Sequence, residues 1–153
     1  MNTRNWVAGG ALALVVVTAF AQLPGITRTP VQEGDLASAP GRQAIVARVD
    51  FAPGAVVPKH THAGEEIGYV VEGSIVLIVE GQPPRTVKAG EGFLVPAGTV
   101  HEGRNVSSAK AVVLATYVHE KGKPVTTMVS KQVAPRPGLE PGTCGLTVRR
   151  STN

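Results

Sequence analysis

Three of the four histidines in this 153-residue chain stand in two short clusters. His60-Thr61-His62 sets two imidazoles at a spacing of two. On an extended strand, residues i and i+2 share a face, so both rings point the same way. Glu66 follows past Ala63-Gly64, where a glycine lets the chain bend and carry a carboxylate toward the same centre. His101 emerges after Pro96-Ala97-Gly98-Thr99-Val100, a rigid turn that fixes where its imidazole points. Imidazoles and carboxylates ligate borderline metals and move protons, so convergence of these four groups is the chemistry to look for.

The elements that must position them read as strands. From Gln43 to Phe51, the apolar Ile45, Ala47, Val49 and Phe51 alternate with Arg48 and Asp50, the period of a strand with one buried face. Ile67 to Val71 and Ser74 to Glu80 are β-branched runs broken by a turn at Glu72-Gly73. After the turn Gly81-Gln82-Pro83-Pro84 come Arg85–Lys88, a second turn at 89–92, and Phe93–Pro96. A long strand over Ala111–His119 and a short one over Val125–Val129 close the series. About eight short strands with regular turn signals predict a sandwich or barrel. Val70, Val76, Ile78, Phe93 and Val95 are its expected lining.

Composition agrees: 42% hydrophobic and 17% charged residues suit one packed domain rather than a disordered chain. The net charge of +4 would suggest nucleic acid if it lay on the folded surface. It does not, because residues 22–130 hold ten Lys/Arg against ten Asp/Glu. The excess comes from Arg4 and from Lys131, Arg136, Arg149 and Arg150 in the tail, against Glu140. No nucleic-acid partner is expected.

Two longer patterns now stand out. Gly54, His60, His62, Glu66 and Gly73 fall in one, and Gly90, Pro96, Gly98, His101 and Asn105 in the other. Their spacing resembles the two motifs of the cupin family, with ten fixed positions matched in order over about residues 43–129. The resemblance implies an all-β fold, a double-stranded β-helix (jelly-roll) cupin barrel, with His60, His62, Glu66 and His101 holding one divalent transition metal. It also implies a homodimer. Three imidazoles and one carboxylate suit Mn, Fe, Ni, Co, Cu or Zn, whereas Ca and Mg prefer oxygen cages.

Neighbouring residues carry less chemistry. Glu65 is expected at the rim, and Glu102 and Arg104 on the face opposite His101. Asn105 is expected to hold a turn, Tyr69 to sit in core or interface, and His119 to be a surface histidine.

The ends read differently from the barrel at 43–130. Residues 1–21 have the form of a signal peptide: Arg4, an apolar run from Trp6 to Thr18, and Ala19-Phe20-Ala21 before a cut at Gln22. The run is shorter than a bilayer span of ~20 residues, so export to periplasm or medium is expected, with no stable membrane insertion. Residues 22–42 read as an N-terminal arm, and 131–153, rich in Pro and Gly and holding Cys144, as a disordered basic tail.

The expected function is metal binding, with dioxygenase-like chemistry on a small organic molecule and Glu66 as catalytic base. Isomerase or decarboxylase chemistry ranks lower. The alternative is a non-catalytic module that binds or senses a metal or small ligand.

Overall fold

Alternating apolar residues and glycine-rich turns build ten strands in the computed structural model, which describes residues 23–130. The expected signal peptide over residues 1–21 and the expected tail over 131–153, with Cys144, lie outside the described residues. The strands are β1 (Ile26–Asp35), β2 (Arg42–Phe51), β3 (Val56–Thr61), β4 (Glu65–Glu72) and β5 (Ser74–Val79). They continue as β6 (Arg85–Lys88), β7 (Gly92–Val95), β8 (His101–Arg104), β9 (Ala111–Glu120) and β10 (Thr127–Met128).

Two five-stranded antiparallel sheets result, ordered β1-β2-β9-β4-β7 and β10-β3-β8-β5-β6. This is the all-β jelly roll that the motifs imply. One face of the first sheet buries Ile45, Ala47, Val49 and Phe51 from β2, and Val113, Ala115 and Tyr117 from β9. The second sheet contributes Val57, Ile75, Leu77, Val79 and Val87 to the same core. Each large side chain so buried stabilises the barrel by about 1.5–3 kcal/mol.

Two expectations change. First, residues 26–35 form a full strand that pairs along β2, with Ile26 opposite Phe51 and Asp35 opposite Gln43. Only Ile26 on this edge strand is fully buried, so no period-two apolar signal marks it. Second, β5 turns Ile75, Leu77 and Val79 inward and leaves Val76 and Ile78 half-buried, the reverse of the expected lining. A run that is apolar on both faces carries no phase. Val70, Phe93 and Val95 are buried as expected. Tyr69, expected in core or interface, is 49% exposed and so lies outside the core.

Asn105 ties the barrel's lower turns together. Its Nδ2 donates to the carbonyls of Phe51, Ala52 and Ala109 at 3.3, 3.1 and 2.7 Å. Its Oδ1 accepts from the N–H and hydroxyl of Ser107 at 3.0 and 2.8 Å. Asn105→Ala orphans several of these buried groups and is expected to cost about 2–3 kcal/mol in denaturant unfolding. An unchanged unfolding midpoint would show that the network contributes nothing.

Candidate metal centre

A β-bulge begins the site. Val57 pairs with Gly103 but His60 pairs with His101, so β3 has one residue more than β8 between these pairs. Val57 and His60 are three apart in sequence, and the bulge lets both face inward. His62 follows one residue beyond the strand, and Glu66 is the second residue of β4.

Gly64 makes the step between them possible. A Cβ there would lie 1.7 Å from the Val118 carbonyl oxygen on β9, so the 62–66 loop packs backbone against backbone. On the other side, Pro96 to Thr99 form a turn closed by Thr99 N–H on the Pro96 carbonyl at 3.2 Å, with Gly98 at φ +72°. Only glycine takes that conformation without strain. The Gly98 N–H also donates to the His62 carbonyl at 2.9 Å, locking this turn to the first histidine cluster.

The structure brings all four expected residues together. His60, His62, Glu66 and His101 are 5%, 4%, 7% and 3% exposed, and one donor atom from each falls within a 4.8 Å span. Every imidazole is oriented by the backbone. Nδ1–H of His60 donates to the Pro58 carbonyl at 2.7 Å, that of His62 to Val125 at 2.6 Å, and that of His101 to Thr99 at 2.9 Å. A carbonyl only accepts, so each Nδ1 carries the proton and each Nε2 directs a lone pair inward.

That arrangement is the test of fit for a metal. His62 Nε2 and His101 Nε2 stand 3.1 and 2.9 Å from Glu66 Oε2. Imidazole lone pairs facing a carboxylate repel unless a cation lies between them. Donor atoms ~2.1 Å from a shared ion and at right angles to one another are roughly 3.0 Å apart, which matches the observed contacts. The residues present fit a divalent transition metal.

The site's electrostatics point the same way. Burial, reinforced by the neighbouring His101 ring, pushes His60 down to about 4, so it is neutral at physiological pH. Burial also pulls His101 down, but Glu66 and the Thr99 carbonyl outweigh it and raise its pKa. Burial alone would raise Glu66, yet hydrogen bonds from His101 and His62 bring it to about 2. When His101 is protonated, its Nε2–H donates to Glu66, so metal uptake at that pH must displace this proton. Below His101's raised pKa, metal affinity is expected to fall by up to about tenfold per pH unit. Calorimetric titration at about pH 6 and pH 5 checks this, and a flat affinity would contradict it.

Beside the centre opens a small cavity, continuous with solvent at its mouth. Its walls are largely apolar and include Phe51, Leu77, Phe93 and Val113, with His60, Glu66 and His101 at the ligand end. Two polar residues absent from the sequence reading also line it, Tyr117 and Arg28. Tyr117 lies directly across the sheet from Glu66, and its ring centroid is 4.7 Å from that of His62. It has the same parity along β9 as the buried Val113 and Ala115, a signal that could have revealed it. Arg28 sits on β1, the strand that no pattern marked.

The other candidates stay outside the centre. Glu65 pairs with Arg42 at 3.3 Å in a half-exposed rim contact. Glu102 is buried and bound to Arg104. His119 is not a surface residue: it is 2% exposed, with Nε2 3.2 Å from the Gln43 side-chain amide. It too follows the inward parity of Val113, Ala115 and Tyr117.

Residues 47–117 match a family model described as a cupin domain. Oxalate oxidase 2 of Hordeum vulgare is 36% identical over 108 residues, covering 61% of this chain and 48% of that protein. Germin-like protein 1-1 of Oryza sativa subsp. japonica is 35% identical over 106 residues, covering 61% and 49%. A solved structure of an oxalate oxidase in complex with the substrate analogue glycolate superposes with a TM-score of 0.55 at 30% identity, covering 69% of this chain and 55% of that one. The structure of KdgF from Halomonas sp. gives a TM-score of 0.51 at 28% identity, covering 64% and 83%. The chain spans about half the length of the curated relatives it matches.

Proposed function

We propose that this chain, which belongs to the cupin superfamily, is a mononuclear metal enzyme that oxidises or oxygenates a small chelating organic acid with dioxygen. One observation carries the reading: three Nε2 atoms, each fixed by a backbone carbonyl, converge with the Glu66 carboxylate beside an apolar cavity. The relatives support the substrate class, since oxalate and its analogue glycolate are small acids with adjacent oxygen donors.

A divalent transition metal held by His60, His62, Glu66 and His101 would supply Lewis acidity toward substrate oxygens and, where redox-active, an electron path to dioxygen. The protein's own groups do the rest. Glu66, the one carboxylate on the cavity wall among the described residues, is the base that accepts a substrate proton. Burial and the Glu66 charge raise the Tyr117 phenol, so its hydroxyl stays protonated and serves as a donor. The apolar walls keep water from the reacting atoms.

In an oxidase turnover two electrons and two protons pass from substrate to dioxygen, giving hydrogen peroxide. In a dioxygenase turnover both oxygen atoms enter the product. Metal-loaded protein offered oxalate, glycolate, diketones, catechols, flavonols and sugar acids is expected to consume oxygen with at least one of them. Peroxide assay and mass spectrometry then separate the two outcomes. No consumption across the panel would overturn the enzymatic reading in favour of a module that stores or senses a metal or small ligand. Glu66→Gln, compared at equal metal content, is expected to lower turnover at least ~100-fold.

The same reading includes a homodimer. Ile67, Tyr69, Val71, Leu94 and Leu114 are all exposed. Ile67 pairs with Leu94 and Tyr69 with Leu114, so they form one apolar patch on the outer face of the first sheet. Sedimentation is expected to show a dimer that Leu94→Lys converts to monomer, and a monomeric parent would contradict it. Export completes the proposal: N-terminal sequencing of secreted protein should begin at Gln22.

A further inference from the structure

We propose that Gly103 keeps open a notch in the cavity wall for the apolar end of the substrate, a chelating monocarboxylic acid with a short alkyl chain. This deepens the metal-enzyme reading above and rests on it. Gly103 lies in β8, two residues from His101, and is buried on the same inward face. It lines the cavity that His60, Glu66 and His101 share.

The backbone does not demand a glycine here, because Gly103 is a strand residue without the positive φ of the turn glycines. A glycine inside a strand weakens it and marks a place where another group comes close. At Gly68, on the inward face of β4, that group is the Phe93 ring, which fills the space a side chain would take. Gly103 differs. Among the described residues, a Cβ there would meet only the Phe51 ring, at ordinary contact distances of 3.6 and 3.7 Å. Val57 and Leu77 flank Gly103 in the β3–β8–β5 register, and both line the cavity. The notch is thus walled by three apolar side chains.

The cavity therefore has two unlike ends. Metal ligands stand at one, and the notch lies roughly 6.6 Å below His101, the rise of two strand residues. An acid whose adjacent oxygens face the ligands would reach the notch with a few carbons of chain. A charged group there would lose its water against apolar walls, so an alkyl end is favoured over a second carboxylate. Arg28 also lines the cavity, but it stands on the first sheet and is bound to the Tyr117 side chain.

The test uses full-length protein loaded with zinc, which holds a chelating acid without turning it over. Calorimetry follows single-enantiomer 2-hydroxy acids of growing chain, from glycolate through lactate, 2-hydroxybutanoate and 2-hydroxypentanoate to 2-hydroxyhexanoate. In the parent, affinity is expected to rise about fourfold per added carbon to an optimum and to fall beyond it. Gly103→Ala puts one carbon into the notch and should move the optimum to a shorter chain, with glycolate binding unchanged. Phe51→Leu removes the ring edge that faces the notch and should move the optimum to a longer chain. Zinc content and circular dichroism are measured for all three proteins, so if one variant folds poorly the other still decides. Zinc retained with an affinity independent of chain length in the parent, or one optimum common to parent and folded variants, overturns the role of Gly103 and leaves the metal centre standing. Failure of the parent to retain zinc overturns both.

Discussion

Replacing His101 by alanine is expected to lower metal affinity by at least ~100-fold and leave the barrel folded. The imidazole lies directly across from His60 in the β3–β8 pair, and its Nε2 is 2.9 Å from Glu66 Oε2. Altering an outer partner of a metal ligand already weakens binding 10- to 100-fold, and losing the ligand itself should exceed that. The fold does not depend on this ring in the same way. Residues 101–104 pair with β5 through the backbone, from Val79–His101 to Val76–Arg104, and alanine keeps those bonds. His60→Ala should behave alike. Elemental analysis and circular dichroism check both variants, and metal content unchanged in both would remove these residues from the centre.

The second large effect is expected at a residue that binds nothing. Gly64→Ala should destabilise the barrel by about 3–5 kcal/mol, a large part of the ~5–15 kcal/mol that holds a domain together. An added Cβ would meet the Val118 carbonyl oxygen at 1.7 Å and the Val118 carbonyl carbon at 2.7 Å. Those are backbone atoms of β9, which is paired on one side with β2 and on the other with β4. They cannot move aside without disturbing both ladders. The loop must lift instead, carrying His62 away from Glu66, so metal affinity should fall along with stability. A parental melting temperature and metal content in Gly64→Ala would contradict the packing account.

These two residues also show what a sequence reveals. His60, His62, Glu66 and His101 were legible because strand periodicity and two stiff turns act over a few residues, and the motif preserves that local geometry. Gly64 was legible as a bend, but its close approach to β9 arises from a contact between segments more than fifty positions apart. The same distinction explains the misses. The phase of β5 depends on which sheet lies beneath it, and Ser74–Val79 is apolar on both faces. The β1 strand is an edge whose outer residues are polar and include Pro30, so its pairing with β2 leaves no alternation to read. Arg28 was lost with that strand. Tyr117 and His119 were legible in principle, since they continue the parity of Val113 and Ala115. A histidine at the end of an apolar strand reads as surface until the barrel closes over it.

Every proposed activity of this protein begins with the metal. Oxygen chemistry and Glu66 as base each presuppose an ion among the three imidazoles. Adding one divalent metal at a time, Mn, Fe, Ni, Co, Cu or Zn, to chelator-stripped protein and measuring bound metal after dialysis tests that claim directly. The predicted result is retention of about one ion per chain by the parent protein, lost in His60→Ala and His101→Ala. No retained metal from any of the six, or equal retention in both alanine variants, would contradict the account at its base.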